Sequence, residues 1–127
     1  MSDLSAIGLI LGTFIVGFVA GNYVIKIVND RYDEVIFGVI DGIPASLSHR
    51  TFMLYSQCLP TQSSLAAFSV VGAVAYFRVA EEIADTSVRG VAYLCAGFTA
   101  WAAIMFVVLG FNHLLYAASI LRETKRD

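Results

Sequence analysis

The sequence predicts an all-α integral membrane protein with three transmembrane helices, and two observations support this fold class. Three long apolar stretches, separated by short charged regions, make up most of the chain: Leu4 to Val28, Leu65 to Ala80 and Val91 to Leu121. Hydrophobic residues form 58% of the 127 residues and the mean hydropathy is +0.76, more apolar surface than so short a soluble chain can bury. We therefore expect a single membrane domain over residues 1–127, with spans at approximately 4–28, 61–80 and 90–112.

The first stretch has no charged residue between Asp3 and Lys26, and a spanning helix needs roughly 20 apolar residues. A secretory signal peptide would instead have a basic segment before a shorter apolar core, whereas Asp3 is the only charged residue ahead of this one. The first stretch is therefore predicted to span the membrane.

The second and third stretches differ in length. Pro60 marks the expected start of the second helix, and Arg78 lies at its far end. The third stretch has no Lys, Arg, Asp or Glu between Arg89 and Arg122, which is longer than a bilayer requires. We therefore expect the third helix to extend beyond the bilayer.

Basic residues near the ends of the spans predict the orientation of the chain. Six lie in the first connection and the C-terminal tail: Lys26, Arg31, Arg50, Arg122, Lys125 and Arg126. The second connection has only Arg78 and Arg89, and the N-terminus has none. By the positive-inside rule the N-terminus should lie outside and the C-terminus inside an inner or cytoplasmic membrane, bacterial or organellar.

The inner connection, residues 29–60, is predicted to begin with a continuation of helix one to about Ile40. An apolar stripe at helical spacing supports this and forms a candidate inner docking surface: Tyr32, Val35, Ile36 and Val39. The helix should stop near Gly42 and Pro44, and a short interfacial helix should follow from Ser46 to Leu59. We expect the end of helix three, a neighbouring subunit or the membrane interface to cover the stripe.

Small residues predict where helices approach closely, because lipid supplies no hydrophobic drive between spans. Helix one has two pairs at a spacing of four, Gly8 with Gly12 and Gly17 with Gly21, on roughly opposite faces. Helix three has a row of alanines: Ala92, Ala96 and Ala100. These faces either build the three-helix bundle alone or bind another subunit.

Few residues are of a type that suggests catalysis, cofactor binding or metal binding. His113 is the only histidine within a span and is a candidate haem ligand or proton relay, or simply a hydrogen-bonded interfacial side chain. Cys58 and Cys95 should lie at different depths, and the chain has no CxxC, HExxH or phosphate-binding glycine loop. The sequence therefore predicts no metal site and no enzymatic activity of its own.

One short segment, Ser46-Leu47-Ser48-His49-Arg50, has the spacing Ser-x-x-His-Arg. This spacing resembles that in the cytochrome b membrane anchor of succinate dehydrogenases, a family whose anchor has three spans. The resemblance covers five residues and implies that Ser46 and Arg50 would line a quinone site, with a hydroxyl and a guanidinium donating to a quinone carbonyl. The family's motif opens its first span, whereas here a full span precedes it.

We expect a non-catalytic accessory subunit that packs against and stabilises a larger multi-subunit membrane complex, such as an energy-transducing complex. Its expected partners are larger membrane subunits and lipids, with no nucleic acid, no soluble small-molecule substrate and no cofactor. Two alternatives stay open. One is a quinone-binding anchor of a succinate dehydrogenase-like complex, using Ser46, His49 and Arg50, with quinone or haem as cofactor. The other is a phage holin-like pore-forming protein.

Overall fold

The computed structural model describes residues 3–126 and is almost entirely helical. In chain order its elements are α1 (Asp3–Phe37), β1 (Val39–Ile40), β2 (Ile43–Pro44), α2 (Leu47–Met53), a π-helical turn (Leu54–Cys58), α3 (Leu59–Glu82) and α4 (Thr86–Arg126). Three helical stretches are long and apolar enough to cross a membrane: Leu4–Phe37, Leu47–Glu82 and Thr86–Lys125. The predicted all-α fold with three candidate spans is confirmed.

Helix α1 continues past its first apolar stretch but ends at Phe37, three residues before the predicted end at Ile40. The next residue, Gly38, has φ +78°, a left-handed conformation that glycine adopts without strain and that ends many helices. The guanidinium of Arg50 lies so close that a Cβ on Gly38 would be 3.2 Å from its Cζ atom. The helix therefore ends where the backbone turns to admit this side chain.

A two-stranded antiparallel hairpin follows α1 at the place where the sequence predicts the last turn of a helix. Its turn residues Asp41 and Gly42 have φ angles of +52° and +79°, as a type I′ hairpin turn requires. Val39 lies in the first strand and is 43% exposed, so its assignment to the helical stripe is wrong. The tight turn, rather than Pro44, reverses the chain.

The predicted break between an interfacial helix and the second span is absent, because the backbone stays helical from Leu47 to Glu82. The π-helical turn ends two residues before Pro60, which cannot donate a backbone hydrogen bond. In this turn the Leu59 amide donates to the Leu54 carbonyl, five residues earlier. The wider turn accommodates the proline without ending the helix.

Helix α4 begins after a three-residue connection, with the Asp85 carboxylate accepting a hydrogen bond from the Val88 amide at 3.0 Å. Arg89 donates to the carbonyls of Ile83 and Ala84, which follow the last turn of α3. With 41 residues, α4 is about 60 Å long, twice the roughly 30 Å thickness of a bilayer's hydrocarbon core. The third helix is thus long enough to extend well beyond the membrane.

Helices α3 and α4 make the most extensive helix contact, and α1 packs mainly against α4. Buried residues form two groups along the bundle. The connection cluster contains Val28, Tyr32, Val35, Ile40, Met53, Leu54, Cys58, Ala117 and Leu121. The turn cluster lies near the α3–α4 connection and contains Ile10, Ala80, Ala92 and Cys95. The two cysteines are free and belong to different clusters.

Candidate functional site

The predicted docking stripe on α1 is covered by the protein itself. Tyr32 and Val35 are 2% and 0% exposed, and Ile36 packs at the edge of the same cluster. The cover comes from α2, the π-helical turn and the last turns of α4. The end of the third helix is one of the elements expected from the sequence to cover the stripe, and in the structure it does so. Tyr32, Val35 and Ile36 therefore belong to an internal core.

The side chains of Ser46 and Arg50, which the resemblance assigns to a quinone site, both stabilise helix ends. The Ser46 hydroxyl accepts a hydrogen bond from the His49 amide at 3.2 Å, which caps the start of α2. Arg50 is buried, and its guanidinium donates to the carbonyls of Val35 at 2.8 Å and Ile36 at 3.0 Å. These carbonyls belong to the last turn of α1, where a positive charge is favourable. The protein's own backbone thus provides hydrogen-bond partners for both side chains.

A hydrogen-bond bridge through Gln62 links the three long helices. The Tyr32 hydroxyl on α1 donates to Gln62 Oε1 on α3, and Gln62 Nε2 donates to the Phe106 carbonyl on α4 at 3.3 Å. The Gln62 amide lies directly against Gly110, where a Cβ atom would overlap it. We call this arrangement the Gln62 bridge; it requires a glycine at position 110.

His113 lies beside this bridge and is exposed. Its ring centroid is 5.6 Å from that of Tyr32, at an interplanar angle of 43°. His113 therefore approaches α1 at Tyr32, whereas Arg50 approaches it at the carbonyls of Val35 and Ile36. Within residues 3–126, no three His, Cys, Asp or Glu side chains form a group that could hold a metal ion.

The small residues divide into internal and outward-facing sets. Ala92 and Ala96 are 0% and 6% exposed and pack inside the bundle, whereas Ala100 is exposed. A Cβ atom added at any of four glycines of α1 would meet no neighbouring atom within 4 Å: Gly8, Gly12, Gly17 and Gly21. Within residues 3–126, therefore, no helix packs closely against the glycine pairs.

Gly17 and Gly21 line a cavity of about 540 Å³ between α1, α3 and α4, whereas Gly8 and Gly12 lie outside it. The walls are mostly apolar and include Phe14, Phe68 and Trp101, and none of the lining residues is charged. The sequence predicts that the two glycine pairs lie on opposite faces of α1. The structure adds that one pair faces the cavity and the other does not.

These features define the class of the molecule as an all-α protein with three helices long and apolar enough to span a membrane. No family model, curated protein or solved structure matches the chain.

Proposed function

We propose that this protein is a non-catalytic accessory subunit that packs against and stabilises a larger membrane complex. The supporting observation is the open pair Gly8 and Gly12 on α1. Glycines spaced by four residues let helix backbones approach closely in lipid, where packing rather than hydrophobic burial drives association. Because none of the described residues has an atom within 4 Å of a Cβ at either position, a helix of another subunit is the proposed occupant.

The small buried fraction of the spans supports the same proposal. In the most apolar 18-residue windows of the first and second spans, only 6% of residues are buried within the chain, against 22% in the third. The first helix therefore has most of its surface available to partners. In the proposed orientation the N-terminus lies outside and the C-terminus inside an inner or cytoplasmic membrane of a bacterium or organelle, as the distribution of Lys and Arg indicates.

The test is purification from the native membrane in a mild detergent, with identification of every protein that remains bound. Gly8→Leu and Gly12→Leu should each hold the partner helix away by the thickness of a side chain and reduce copurification. Both variants should still insert and fold, because a Cβ atom at either position has no neighbour within 4 Å among the described residues. Gly17→Leu is the matched control, since its side chain enters the cavity and should leave the partner bound.

Two results would contradict the subunit proposal. If Gly8→Leu and Gly12→Leu keep every partner that the wild-type protein keeps, this face is not the docking surface. If the wild-type protein has no partner and forms large homo-oligomers, the holin-like alternative is supported instead. Copurified quinone or a haem absorption band would support the anchor alternative.

A further inference from the structure

We propose that the cavity between α1, α3 and α4 is a binding site for one acyl chain of a membrane phospholipid. This site is separate from the proposed docking face at Gly8 and Gly12, neither of which lines the cavity. The volume of about 540 Å³ lies within the range of about 300–1,000 Å³ that is typical of small-molecule sites.

The cavity is held open because α1 is attached to the other helices on both sides of it. On one side, the Thr13 hydroxyl lies 3.0 Å from the Tyr76 hydroxyl, and the Phe14 ring packs on Tyr76 with centroids 6.4 Å apart. On the other side, Tyr32 donates to Gln62 of the Gln62 bridge. With α1 fixed at both contacts, its middle cannot move onto α3 and α4 without breaking one of them.

The polar groups in the walls have partners already. The hydroxyls of Ser69 and Thr99 donate to carbonyls four residues earlier on their own helices, and the Asn22 amide does the same. Thr13 also donates to a carbonyl of its own helix, so the hydroxyl proton of Tyr76 is available to Thr13. A buried water needs two to four polar partners, and these walls favour an apolar occupant.

The length of the cavity fits one acyl chain. The lining residues of α1 run from Thr13 to Ile25, about 18 Å along the helix and a little over half the roughly 30 Å hydrocarbon thickness. This length matches one chain of one leaflet. A partner helix in the same cavity would exclude this acyl chain, and the lipid measurement therefore distinguishes the two occupants.

The test uses native mass spectrometry of the whole chain, reconstituted in vesicles of palmitoyl-oleoyl phosphatidylethanolamine and phosphatidylglycerol and then extracted in mild detergent. The wild-type protein should retain one phospholipid per chain after the loosely bound lipids are removed. Gly17→Leu and Gly21→Leu should lose this lipid, because the new side chain occupies the cavity. Gly8→Leu should retain it.

A second measurement uses the unmodified protein and does not depend on the folding of variants. A phosphatidylcholine with a diazirine halfway along one acyl chain should crosslink to Trp101 or Met105 in the cavity wall, and excess unlabelled phospholipid should compete only slowly. The proposal is overturned if the wild-type protein retains no lipid, if Gly17→Leu retains as much, or if crosslinks avoid the cavity. Loss of partners in Gly8→Leu tests the subunit proposal separately.

Discussion

Replacing Gly110 by alanine should break the Gln62 bridge and destabilise the bundle. An ideal Cβ at position 110 would lie 2.7 Å from Gln62 Oε1 and still closer to Nε2, nearer than real Cβ contacts come. The amide must therefore move, and the bonds from Tyr32 and to the Phe106 carbonyl are lost together. Interhelical hydrogen bonds in membranes contribute about 0.6–2 kcal/mol each, so the expected loss of stability is about 1–3 kcal/mol.

The measurement is the free energy of unfolding in mixed detergent and SDS micelles, followed by the fluorescence of Trp101, the single tryptophan. Gly97→Ala is the matched control, because Gly97 lies on the same helix and a Cβ there would meet nothing within 4 Å. The control should be neutral or stabilising by up to about 1 kcal/mol, since alanine favours helix more than glycine does.

A double-mutant cycle with Gln62→Ala separates steric overlap from any other effect of the substitution. When the Gln62 amide is absent, Gly110→Ala should become as harmless as Gly97→Ala. Two results would contradict this explanation: Gly110→Ala leaves the free energy of unfolding unchanged in the wild-type background, or lowers it equally with and without Gln62→Ala. The Gln62 bridge would then not be the reason that position 110 is a glycine.

Three further predictions test the connection and the orientation. Arg50→Met should lower the free energy of unfolding by about 2–4 kcal/mol and speed amide exchange at the end of α1, because two carbonyls lose their donor. Val35→Asp should destabilise the isolated chain by several kcal/mol, since Val35 is 0% exposed, whereas Asp33→Val on the exposed face should be nearly silent in the same unfolding assay. Single cysteines at Ser2 and Glu123, in a background without native cysteines, should react with an impermeant thiol reagent from opposite sides of the membrane; labelling from one side would refute the proposed orientation.

The three candidate spans are predictable from sequence because apolar length is a local property. Their ends are less predictable. Val39 and Ile40 continue the helical spacing of α1, and two apolar residues alone do not distinguish a helix from a strand. The pair Asp41-Gly42 was the available indication of a hairpin turn. Pro60 suggests a helix break, but a preceding π-helical turn removes the need for one, and no local residue pattern specifies that turn.

The remaining differences between the predicted and the observed structure come from contacts between residues that are distant in sequence. The apolar stripe on α1 is predictable, yet the sequence alone does not decide whether the chain or a partner covers it. Gln62 and Gly110 contact each other across two helices, and neither residue is unusual in its own segment. Likewise, Arg50 has the charge expected of a ligand-binding residue, and only its position beside the end of α1 explains its role there.

The π-helical turn at Leu54–Cys58 sets how the segment before it is rotated relative to α3. A π-helical turn holds one residue more than an α-helical turn, and each residue of an α-helix contributes a rotation of about 100° and a rise of 1.5 Å. If the same residues adopted an ordinary α-helix, everything before the turn would rotate by that angle relative to α3, and the Arg50 guanidinium would leave the carbonyls at the end of α1. The one extra residue in the turn therefore aligns side chains that the turn itself does not contact.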